Sequence, residues 1–82
     1  MKVFVQGAAG VSRADIEAAM FASGMIYRGS HDTVAGGEYI EGALKDGADV
    51  AAFEASVRQI LGNRVVRVGV ADKAEWSNGG GF

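Results

Sequence analysis

The sequence contains no cysteine and a single histidine. Without thiols the chain can form no disulfide, no thiolate nucleophile and no zinc or iron–sulfur site built on sulfur. With His31 alone, a metal cage would have to be completed by carboxylates such as Asp32 and Glu38. One imidazole with loop acids is a poor ligand set, so the reading is of no metal and no cofactor, with His31 in a solvated turn. Ser30 beside His31 makes no nucleophile pair, because adjacent side chains seldom aim at each other and no third group orients the base. A strong charge of one sign is also missing. Eight Lys and Arg stand against ten Asp and Glu, for a net charge of −2, so the basic field that draws a protein to phosphate backbones is absent. The acidic set Asp46, Asp49, Glu54 and Glu75 is too sparse to imitate a nucleic acid. Long apolar runs are lacking as well. The stretch from Val3 to Val11 is interrupted by Gln6 and followed by Arg13 and Asp15, too short for a signal peptide or a bilayer span. The expectation is a cytoplasmic domain with no membrane contact.

What is present is enough apolar mass to fold. The 82 residues are 49% hydrophobic and 22% charged, with a mean hydropathy of +0.12, which fits one small domain with one core. Order is expected over residues 1–71. Residues 72–82, with Gly79, Gly80 and Gly81, read as a flexible tail.

Lys2, Val3, Phe4, Val5 and Gln6 are rich in β-branched and aromatic residues and are stopped by a Gly7-Ala8-Ala9-Gly10 loop, which predicts a first strand. Ser12 then reads as a helix N-cap with Asp15 three residues on. Ile16, Ala19, Met20 and Ser23 share one helical face, and Gly24 can end the helix, predicted over residues 13–23. Residues 25–28 read as a second strand, residues 30–37 as a polar turn region and residues 38–44 as a third strand. Val50, Phe53, Val57, Ile60 and Leu61 recur every three or four residues and mark a second helix. Its cap is Asp49 or the competing Asp46, and its end is at Gly62-Asn63. Residues 65–70 predict a fourth strand.

The order strand, helix, strand, strand, helix, strand matches the split βαβ arrangement of ferredoxin-like α+β domains: a four-stranded antiparallel sheet with both helices on one face. Alternation then sorts the strand residues. If Val3, Val5, Ile26, Ile40, Gly42, Leu44, Val66, Val68 and Val70 face the helices, then Phe4, Gln6, Met25, Tyr27, Tyr39, Glu41, Val65 and Arg67 face away. Such a greasy open face exceeds what a small monomer normally exposes. It predicts contact with a protein partner, a second copy of the chain, or the chain's own tail with Trp76 folded back. An edge strand with unpaired backbone groups is a second docking route.

Two resemblances share this fold. Val3-Phe4-Val5-Gln6-Gly7 is similar to the first-strand segment of RNA-recognition motifs, which implies base stacking on Phe4. That family's third strand carries a basic residue and two alternating aromatics, where this chain has Tyr39 between Glu38 and Glu41. Val5-Gln6-Gly7 resembles part of the acylphosphatase loop, which implies Arg13 as an anion ligand. Arg13 lies two positions later than in that pattern, and no Asn stands on strand three to orient a water. Independently of either resemblance, Gly7, Gly10, Ser12 and Arg13 at a helix start can hold a phosphate or carboxylate. Gly7 and Gly10 also look like the first two glycines of a dinucleotide fingerprint, a weak signal because the third position is here Arg13 and no full βαβαβ half follows.

Lacking a histidine pair, a catalytic cysteine or a dense polar cluster, the sequence argues against an enzyme. Its first functional expectation is a non-catalytic protein-interaction module, a small inhibitor or adaptor of the kind phages encode, working as a homodimer or on another protein. The alternatives are an anion-binding domain or weak acylphosphatase-like hydrolase, and an RNA-recognition-like binder.

Overall fold

The computed structural model describes residues 1–71. In chain order it comprises β1 (Lys2–Gly7), α1 (Arg13–Ala22), β2 (Met25–Val34), β3 (Gly37–Leu44), α2 (Val50–Leu61), a short 3₁₀ turn (Gly62–Arg64) and β4 (Val65–Val70). All strand pairs are antiparallel, in the order β2-β3-β1-β4. This is a ferredoxin-like α+β arrangement. The expectations of a flexible tail over residues 72–82 and of Trp76 folding back lie outside the described residues.

Local chemistry sets the helix boundaries. The Ser12 hydroxyl accepts the Asp15 amide at 3.1 Å, and the Asp49 carboxylate accepts the Ala52 amide at 3.2 Å. Each satisfies one of the amide donors that a helix start leaves without a partner. Asp49, not Asp46, caps α2. Replacing Asp49 by alanine is expected to cost about 1 kcal/mol, read as a lower urea midpoint with an unchanged slope; an unaltered midpoint would show that the cap is dispensable. Ile16, Ala19 and Met20 of α1 and Phe53, Val57 and Leu61 of α2 are buried. They pack on Val3, Val5, Ile40 and Leu44 from one row of the sheet. The helices also touch each other, with Ser23 Oγ donating to Ser56 Oγ at 2.7 Å. Both helices therefore cover the same side of the sheet, and among the described residues no layer covers the other side.

Two departures from the predicted alternation, one on β2 and one on β4, trace to register breaks. Between Met25 and Tyr27 the pairing with β3 shifts, so Met25, expected on the open face, enters the core at 4% exposure, while Ile26, expected inside, is 61% exposed. Gly42 makes this possible: the space a Cβ would take there is occupied by the Met25 thioether. On β4 a second shift pairs Gly7 with Val65 directly after Gln6 with Arg67. Val65, also expected on the open face, is therefore a core residue at 8% exposure, and the displaced Val66 is 51% exposed. Val70 lies opposite Val3, in the inward row as expected, yet is exposed because β4 is an edge strand. An extra residue in one strand of a pair reverses the facing of everything beyond it.

Strand β2 is also much longer than predicted. Residues 30–34 are strand rather than turn, and β2 joins β3 through Ala35 (φ 52°) and Gly36 (φ 80°). Two consecutive positive φ values define a type I′ hairpin turn. Ala35 holds a left-handed conformation that costs a non-glycine residue about 1 kcal/mol, and the hairpin tolerates it because its base is anchored. Gly37 sits so close to the Gly7 carbonyl that no side chain fits between them.

Candidate docking face

Pairing brings the open-face residues together in a predictable way. Phe4 lies between Glu41 of β3 and Gly69 of β4, and Gln6 lies between Tyr39 and Arg67. Phe4 and Tyr39 are thus diagonal neighbours, and their rings stack with centroids 5.4 Å apart at 22°. Gly69 lets the Phe4 ring lie down: a Cβ on Gly69 would come within 3.2 Å of Phe4 Cε1. Above that ring, the Arg67 guanidinium carbon is 5.5 Å from the centroid. Arg67 Nε also donates to Gln6 Oε1 at 3.0 Å, which gives a partner to the buried Gln6 amide oxygen and fixes the guanidinium over the aromatic face.

Toward β2 the face turns acidic. Glu41 accepts from the Tyr39 hydroxyl at 2.9 Å and from Ser30 Oγ at 2.7 Å, and Asp32 pairs with Tyr39 across the ladder. An open depression of about 630 Å³ is lined by Phe4, Tyr39, Glu41, Arg67 and Asp32 and, reaching round the sheet edges from the inward row, by His31 and Val70. Tyr27 stands opposite Ala43 at the far end of the same face and is 45% exposed.

Of the residues expected on this face, Phe4, Gln6, Tyr27, Tyr39, Glu41 and Arg67 converge there, and Met25 and Val65 do not. Sequence reading missed Ser30 and Asp32, because residues 30–37 were expected to be a turn. The signal available was Gly36, a glycine suited to the second central position of a two-residue hairpin turn after Val34.

The loop offered as an anion cradle is occupied by internal bonds. Ala8 N–H donates to the Arg64 carbonyl at 2.7 Å and Val11 N–H to the Ala8 carbonyl at 3.2 Å. Ser12 Oγ is the helix cap, and Gly7 is buried against Ile16, whose Cδ1 lies 2.5 Å from where a Cβ would stand. Gly10, at φ 89°, turns the chain in open space. Arg13 points elsewhere, to His31 and Glu17. His31 itself lies in β2, opposite Ile40, and not in a turn. Among the described residues no three His, Cys, Asp or Glu side chains gather as a metal site would require, and no helix is long and apolar enough to cross a membrane.

No protein-family model, no curated protein and no solved structure matches this chain.

Proposed function

We propose that this chain is a non-catalytic protein-interaction module, a small inhibitor or adaptor, that docks through the open face of its sheet. The observation that carries the reading is the Phe4–Tyr39 stack roofed by Arg67 on a sheet side that no layer covers among the described residues. Aromatic and arginine side chains dominate the energetics of protein contacts, and here the Arg67–Gln6 bond positions one of them in advance. Asp32 and Glu41 give the β2 side of the depression negative charge, so the best-matched partner surface is apolar with a basic residue at that side. The same carboxylates disfavour a strand of phosphates, which sets the reading apart from nucleic-acid binding.

The test is a pair of variants, Tyr27→Glu with Tyr39→Glu in one chain and Arg67→Glu in another. Partner capture and self-association are measured by affinity purification and sedimentation equilibrium, and folding is followed by circular dichroism. Both variants are expected to stay folded and to lose at least about tenfold in association, the effect of burying one unpaired charge in a contact. Association that survives both would remove the face as the docking site. Single-stranded RNA binding lost with the aromatic variant would replace this reading with the nucleic-acid one.

A further inference from the structure

On the helix side of the sheet edge, a second cluster forms that shares His31 alone with the lining of the docking-face depression. Arg28 pairs with Gly42 and His31 with Ile40, both positions of the inward row, so the two side chains stand on the side where α1 begins. Arg13 is the first residue of α1. Its Nη1 lies 2.5 Å from His31 Nε2, while Arg28 Nη1 lies 2.8 Å from His31 Nδ1. One imidazole is therefore held between two guanidiniums.

This arrangement is short of acceptors. Each guanidinium carries five N–H donors and no acceptor, and a neutral imidazole offers one donor and one acceptor. Since both ring nitrogens face arginine donors, one of the two contacts sets N–H against N–H. The carboxylate bonded here is Glu17, 3.3 Å from Arg28 Nε and 3.9 Å from Arg13 Nε. It serves two cations, and Asp15 is already in the first turn of the helix. The local formal charge of Arg13, Arg28 and Glu17 is positive in a chain whose net charge is −2. A ligand with several acceptor oxygens in tetrahedral array would satisfy the idle donors of both forks and the imidazole N–H together. The start of α1 adds its positive dipole end to the same region.

We propose that Arg13, Arg28 and His31 form a binding site for a phosphoryl oxyanion, with Glu17 as the internal group it competes against. The site does not rest on the docking reading, and either can fail alone. Inorganic phosphate and glycerol phosphate are titrated separately into the ¹⁵N-labelled protein at constant ionic strength, with chloride as the reference anion. Arginine Nε–H and backbone resonances are followed; the two ligands tell a free anion from a monoester. The expected result is saturable shifts at Arg13, Arg28 and His31 with one or both phosphates and not with chloride. Arg13→Ala and Arg28→Ala should each weaken binding about tenfold, as loss of a charge-assisted bond does. Glu17→Gln should tighten it severalfold by removing the competing carboxylate. Arg58→Ala on α2, where Arg58 pairs with Glu54, should change nothing. Shifts matched by chloride, an Arg58→Ala loss as large as that of Arg28→Ala, or a Glu17→Gln variant that binds no more tightly would each overturn the proposal. All four substitutions are at partly exposed side chains, and the Glu17→Gln arm decides the matter even if an arginine variant is poorly folded.

Discussion

Truncating Phe53 to alanine is expected to remove about 3–5 kcal/mol of folding free energy, enough to leave the domain partly unfolded at room temperature. Phe53 heads the fully buried side chains by size and sits with Ile16, Met20, Ile40, Val3, Val5 and Val57 in one cluster. A domain of about 70 residues has only some 4–10 kcal/mol in total, so deletion of a ring at the centre of its single core is close to decisive. The neighbours cannot collapse into the gap, because the two helices are tied to each other at Ser23–Ser56 and to a sheet whose spacing the backbone ladder fixes. Thermal unfolding followed by circular dichroism is the check, with an expected fall in Tm of well over 10 °C. A fall of only a few degrees would mean that the core is less tightly packed than its burial implies.

The second large effect is expected from Gly37→Ala. The obstacle to a Cβ at Gly37 is main chain, the Gly7 carbonyl together with the carbonyl carbon of Ala8. Main chain at the end of a central strand cannot rotate away, so β3 must separate from β1 at the point where the hairpin is anchored. A loss of about 3 kcal/mol is expected, at the upper end of the range for overpacking. Gly42→Ala is the matched control. There the nearest obstruction is the buried Met25 side chain, with the Tyr27 carbonyl oxygen farther off at 3.2 Å; an unbranched thioether repacks more readily than main chain, so the loss is expected to be smaller, about 1–2 kcal/mol. Equal losses at the two glycines, measured by urea unfolding, would refute the distinction between rigid and yielding neighbours.

The contrast between these glycines also marks what the sequence could and could not disclose. Element order and both helix caps were readable because Ser12 and Asp49 act on amides three residues away, a purely local device. The inward rows of β1 and β3 followed strict alternation for the same reason. The facing of Met25 and Val65 was not readable, since each depends on one extra residue in a strand, and that choice is made by the partner strand's fit and not by the strand's own pattern. Residues 30–34 hid their strand character because an edge strand reaching past the core has water on both sides and needs no hydrophobic period. Ser30, Asp32 and the role of His31 vanished from view with it. The clustering of Arg13, Arg28 and His31 was equally out of reach, as it depends on which residues of β2 lie under the first turn of α1.

The bulges that confounded the alternation have a value of their own. The sheet ends in β2 on one side and β4 on the other, and both carry breaks in register. A bent, locally twisted border is a poor template for another chain's backbone. Lateral stacking of copies into a fibril is thereby discouraged at both borders, even though Ile26 and Val66 are bare. Concentrated solutions of this protein should favour discrete complexes over open-ended polymer.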